Sequence, residues 1–120
     1  MNHYEDNEQI CLFNWAALQS GKYPELTMLF HIPNGGKRNA REAARFKRMG
    51  VKPGVPDLFL PVPRGRFHGL FIELKASKGK LSDYQKQWIQ ELESSGYAAC
   101  VCFGFEEAQR DIIKYLEGKM

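Results

Sequence analysis

Two carboxylates and a lysine stand where they can manage a metal ion and a water molecule. Pro56-Asp57 is followed, after fifteen intervening residues, by Glu73-Leu74-Lys75. In the apolar run Leu70-Phe71-Ile72-Glu73-Leu74-Lys75 a strand alternates its side chains, so Glu73 and Lys75 share one face while Leu70, Ile72 and Leu74 share the other. A second apolar run, Asp57-Leu58-Phe59-Leu60, begins on a carboxylate, and the loop around Arg64-Gly65-Arg66 lets it fold back on the first. That pairing brings Asp57 within reach of Glu73. Hard carboxylate oxygens suit Mg²⁺, with Mn²⁺ as a substitute, better than a soft metal. Such an ion on a phosphodiester neutralises developing charge, acidifies a bound water and holds the attacking oxygen in line. Lys75 is placed to orient that water, and the carbonyl of Leu74, lying between the two side chains, is an additional candidate ligand. The chemistry these groups point to is phosphodiester hydrolysis.

The charge distribution supports a polyanionic partner. The net charge is only +3, but Lys37, Arg38, Arg41, Arg45, Lys47, Arg48 and Lys52 form a basic segment broken by Glu42 alone. The C-terminal part, with Glu91, Glu93, Glu106, Glu107, Asp111 and Glu117, is acidic. A basic segment by itself is as readily the solvated face of a helix. Beside the carboxylate motif it favours nucleic acid, with Lys37, Arg38, Arg41, Arg45 and Arg48 as phosphate contacts that grip any sequence. His31 and Asn34 are further candidates for substrate contact or local structure.

Elements that could position these groups are readable on either side. The chain of 120 residues, 43% apolar, suits one domain spanning 1–120. Asp6, with Gln9 three residues on, reads as the N-cap of a helix burying Ile10, Leu12, Phe13, Trp15, Ala16, Ala17 and Leu18. Residues 27–32 read as a short strand ended by Pro33-Asn34-Gly35-Gly36, and 39–49 as a helix stopped by Gly50. Ser82 and Gln85 form a capping box before a helix that ends near Gly96. Residues 97–103 read as a buried strand and 106–117 as a closing helix. Strand, helix, strand over 70–103 predicts a parallel partner for the Glu73 strand. The expected class is α/β, a small mixed central sheet flanked by helices. Trp15 and Trp88 read as core. Cys11, Cys100 and Cys102 are an odd set that predicts reduced thiols rather than a disulfide framework. No apolar stretch approaches the roughly 20 residues that span a bilayer, and the N-terminus lacks the order of a signal peptide, so an intracellular location is expected.

Taken together, His31-Ile32-Pro33-Asn34-Gly35-Gly36, Gly50, Gly54-Val55-Pro56-Asp57, Glu73-Leu74-Lys75 and Gln85 resemble the virus-type replication-repair nuclease (VRR-NUC) domain of the PD-(D/E)xK nuclease superfamily. The resemblance covers nearly the whole chain. It implies a restriction-endonuclease-like core and divalent-metal-dependent cleavage of DNA to a 5′-phosphate and a 3′-hydroxyl. Asp57 and Glu73 become metal ligands, Lys75 the catalytic lysine, Gln85 an active-site helper, and Glu8 an extra carboxylate from the first helix. Two of these have plainer readings: Gln85 completes a capping box without any catalysis, and an acid such as Glu8 suits the start of any helix. Small stand-alone members, from phage and bacteria, are associated with four-way DNA junctions. For this chain that implies branched DNA as partner, a twofold homodimer to make paired cuts, no organic cofactor, and a bacterial or phage-infected cytoplasm. The alternatives are a nuclease for flaps, ends or linear duplex, a non-catalytic DNA-binding recruitment module, or an RNA-associated protein.

Overall fold

The computed structural model describes residues 3–33 and 39–120, with the side chains of His3 and Tyr4 outside that description. Its elements run α1 (His3–Leu18), a 3₁₀ turn (Pro24–Met28), β1 (Phe30–His31), α2 (Ala40–Arg48), β2 (Leu58–Leu60), β3 (Leu70–Lys75), α3 (Asp83–Ser94), β4 (Ala98–Phe103) and α4 (Phe105–Leu116). The sheet order is β1-β2-β3-β4. β1 and β2 pair antiparallel, as do β2 and β3, whereas β3 and β4 are parallel across the α3 crossover. This is the mixed α/β sheet that the sequence predicts.

Alternation in β3 separates two faces. Leu70, Ile72 and Leu74 are fully buried with Leu58 and Leu60 of β2 and Ala98 and Cys102 of β4. Leu12 and Ala16 of α1 and Ala108, Ile112 and Tyr115 of α4 close this core from one side. The buried Tyr115 hydroxyl donates to the Val62 carbonyl, so its polar end is satisfied. Phe71, Glu73 and Lys75 occupy the opposite face, beneath α3. There Phe59 stacks on Phe71 with ring centroids 4.1 Å apart, and Tyr97 meets Phe71 edge-on at 5.3 Å. The aromatic cluster lies one pleat along from the acidic pair and walls its apolar side.

Three expectations about elements are corrected. The strand expected over 27–32 shrinks to Phe30–His31, because Pro24 starts a 3₁₀ turn whose three-residue period buries Leu26 and Leu29 on one side. Helix α1 already includes His3, so Asp6 lies in its first turn and does not cap it. Only part of the apolar set on α1 is buried: Leu12 and Ala16 are, Phe13 and Trp15 pack at the core's edge, and Ile10, Ala17 and Leu18 face solvent. The three cysteines are free thiols, as expected. No helix among the described residues is long and apolar enough to cross a membrane.

Candidate active site

The site forms where the β2–β3 ladder runs out. Leu58 pairs with Ile72 and Leu60 with Leu70, so the register continued outward sets Asp57 opposite Glu73 and Pro56 opposite Leu74. The tight turn at Gly65, between the mutually bonded Arg64 and Phe67, holds that register. Proline has no N–H, so Pro56 cannot return a ladder hydrogen bond to the Leu74 carbonyl. The Leu74 N–H is taken instead by Asp57 Oδ2 at 2.9 Å. One local feature, proline before aspartate, therefore frees a carbonyl and fixes a carboxylate beside it. The Asp57 carbonyl is itself clamped, accepting from Ile32 N–H at 2.6 Å and from His31 Nδ1 at 3.0 Å. Since a carbonyl only accepts, Nδ1 of His31 carries the proton. His31 thus touches the site through the backbone of Asp57.

Glu73 is only 3% exposed, although it is a carboxylate on the open side of the sheet. Its Oε2 accepts from Gln85 Nε2 at 3.1 Å and lies 3.8 Å from Lys75 Nζ. Its Oε1 is buried with no hydrogen-bond partner. An orphaned buried carboxylate oxygen is costly unless something absent from the protein completes it. Burial, then the adjacent Asp57 charge, push the Glu73 pKa up to about 8, with Lys75 pulling against them. Without a cation, Glu73 therefore holds a proton at neutral pH.

Gln85 completes the expected capping box and also reaches Glu73. Its Oε1 accepts from Ser82 N–H at 2.8 Å and Ser82 Oγ accepts from Gln85 N–H at 3.2 Å, a complete capping box. Its amide nitrogen is left over for Glu73, so the helix cap aims the donor. The loop before Asp57 approaches α3 at Gly54, where φ is +88° and an added Cβ would lie 2.6 Å from the Tyr84 carbonyl carbon. Only glycine fits there.

Glu8 is placed elsewhere. Its Oε1 faces the N-terminus of α4, 3.4 Å from the Phe105 N–H, where Gly104 leaves room for it. The α1 carboxylate whose charge acts on Glu73 is Glu5, one turn earlier. The sequence carried a signal for this, two acids three apart on one helix face, but no means of choosing between them. Arg41, Arg45 and Arg48 lie on one exposed stripe of α2, a helix capped by Asn39 with no buried residue. Asn34, Lys37 and Arg38 lie outside the described residues. Trp88 is not core: it is half-buried at the surface of α3.

The arrangement fits a hard divalent cation. Asp57, Glu73 and the freed Leu74 carbonyl are oxygen donors around an orphaned oxygen. Among the described residues no third His, Cys, Asp or Glu side chain is grouped with them. A site of two carboxylates, a carbonyl, water and substrate phosphate suits Mg²⁺, which keeps several waters, better than zinc. The VRR-NUC domain profile matches residues 5–106. The chain belongs to the VRR-NUC family. A solved structure described as a VRR_NUC domain protein superposes with a TM-score of 0.82 at 34% identity, covering 98% of this chain and 92% of that one. No curated protein matches the chain. VRR-NUC domains are nucleases of the PD-(D/E)xK type, so DNA is the substrate class this membership implies.

Proposed function

We propose that this VRR-NUC chain is a divalent-metal-dependent, structure-selective DNA endonuclease that acts on four-way junctions as a homodimer. The observation that carries the metal-dependent reading is the buried, unpartnered Oε1 of Glu73, whose other oxygen lies near Lys75 and whose carboxyl feels the Asp57 charge. Asp57, Glu73 and the Leu74 carbonyl would hold Mg²⁺ or Mn²⁺. When bound, such an ion neutralises phosphate charge and makes water a stronger nucleophile.

The protein's own groups do the rest. Once Glu73 gives up its proton, two adjacent carboxylates repel a phosphodiester, and a cation that compensates them ties substrate binding to its own loading. Asp57 is held by the Leu74 N–H and Glu73 by the Gln85 amide, so neither must reorganise when substrate arrives. Lys75 Nζ, on the same strand face as Glu73, orients the attacking water and offsets charge as the 3′ oxygen leaves. Arg41, Arg45 and Arg48 grip phosphates away from the cut. Junction preference and the dimer rest on the likeness to small stand-alone family members and on the economy of one site per chain for paired cuts.

The test is cleavage of end-labelled four-way junction, flap, duplex and single-stranded DNA in Mg²⁺ or Mn²⁺, alongside light scattering. Symmetric paired nicks in the junction by a dimer are expected. A monomer that cuts junctions fully removes the dimer, and preferred cutting of flaps or duplex removes the junction role.

A further inference from the structure

Trp88 lies three residues beyond Gln85 on α3, and its half-buried indole lines two surface crevices beside the active site. The larger, about 440 Å³, is lined by Ile32, Met49, Val51, Val55 and Trp88, with Lys52. The smaller, about 260 Å³, shares Lys52 and Trp88 and adds Tyr84, the neighbour of Gln85. Met49 is 66% exposed and Tyr84 61%, so the apolar surface here is open. It is also tied to the site: Ile32 N–H bonds the Asp57 carbonyl, and Val55 stands two residues before Asp57. The arginine stripe of α2 leads into it through Met49. Among the described residues no protein acceptor is found for the Trp88 indole N–H.

We infer that this crevice takes an unpaired nucleobase of the DNA substrate, stacked on Trp88 with its phosphate against Lys52. The inference rests on the nuclease reading and gives it a source of structure selectivity. An aromatic wall with a cation beside it is the chemistry by which single-stranded nucleic acid is held, and stacking is tolerant of base identity. Bases inside a continuous duplex are stacked and cannot enter. A base at a fork, flap or branch point can. The pocket would therefore reward the DNA shapes whose backbone also reaches Glu73, without reading sequence.

The test uses Trp15→Phe in a Lys75→Ala background, which leaves Trp88 the single indole in a chain that does not cut. It is titrated in Mg²⁺ with a splayed fork, a four-way junction and a linear duplex of the same sequence, and with a fork carrying an abasic site at the first unpaired nucleotide. Quenching of indole emission by fork and junction but not by duplex is expected. The abasic site and Trp88→Ala should each weaken fork binding by roughly 5- to 150-fold, the size of one lost base stack. The two losses should not add, and Trp88→Phe should recover much of the binding. Equal weakening on fork and duplex overturns the proposal, as does unchanged fork binding in Trp88→Ala, which would leave the crevice to a second copy of the chain or to another protein. Urea unfolding of each variant separates loss of binding from loss of fold. Cleavage by the Lys75-containing chain is scored separately: cutting with a silent Trp88 rejects the pocket alone, whereas branch stacking without cutting rejects the nuclease reading.

Discussion

Replacing Glu73 by glutamine should stabilise the metal-free protein at alkaline pH while abolishing its use of metal. The folded chain raises the Glu73 pKa from 4.5 to about 8 by burial and by the neighbouring Asp57 charge. A raised carboxyl pKa means that the folded state keeps a proton the unfolded state has released. Its contribution to stability is fully present below about pH 4.5 and is lost as pH rises through 8. Each pH unit inside that window costs up to about 1.4 kcal/mol, so moving from pH 6 to pH 8 removes about 2 kcal/mol. The substituted glutamine cannot ionise, and it keeps an acceptor for Gln85 and nearly the same volume. Urea unfolding of both proteins in chelator at pH 6, 7 and 8 is the assay. Titrating groups remote from the site are common to both and cancel in the difference. The stability gap in favour of Glu73→Gln should widen by about 2 kcal/mol across that range. Millimolar Mg²⁺ or Mn²⁺ should restore the wild type at pH 8 and leave Glu73→Gln unchanged. A gap constant across pH would refute the claim that Glu73 is a buried acid waiting for a cation.

Other perturbations test the parts that position the site. Gln85→Ala should lower stability by about 1 kcal/mol through loss of the cap, and cut turnover at least tenfold. Gln85→Glu, compared at pH 6, should recover the cap but not the turnover, because it offers Glu73 no amide donor. Gly54→Ala should cost more than about 2 kcal/mol in urea unfolding, since the residue combines a positive φ with contact against the Tyr84 backbone. Replacing Arg41, Arg45 and Arg48 together by Gln should weaken binding to all DNA shapes alike and reduce the slope of log affinity against log salt by roughly 2 to 3. An unchanged slope would remove α2 from the DNA interface.

The centre of the site was legible because strand alternation and one proline are local signals with global consequences. Period-two spacing in residues 70–75 sorts Glu73 and Lys75 from the core, and the turn at Gly65 makes Asp57 their partner in register. What escaped was whatever depends on a choice between equivalent local options. Residues 27–32 have strand composition, yet Pro24 and the spacing of Leu26 and Leu29 favour a 3₁₀ turn. Glu5 and Glu8 suit the same helix face equally, and only the packing of α1 against α4 sends Glu8 to the Phe105 N–H. Gln85 has two competing explanations in the sequence, but an amide has two ends and both are used. Trp88 matches a helical apolar pattern; that α3 covers the acidic face of the sheet, leaving Trp88 at a surface crevice, is a property of the assembled layers.

Mn²⁺ binding and junction cleavage measured side by side on wild type, Asp57→Asn, Glu73→Gln and Lys75→Ala test the account most directly. Lys75→Ala should hold Mn²⁺ close to the wild-type affinity and cut nothing, whereas Asp57→Asn and Glu73→Gln should lose both binding and cutting. Wild-type cleavage by Lys75→Ala, or undiminished Mn²⁺ binding by both carboxylate variants, would contradict it.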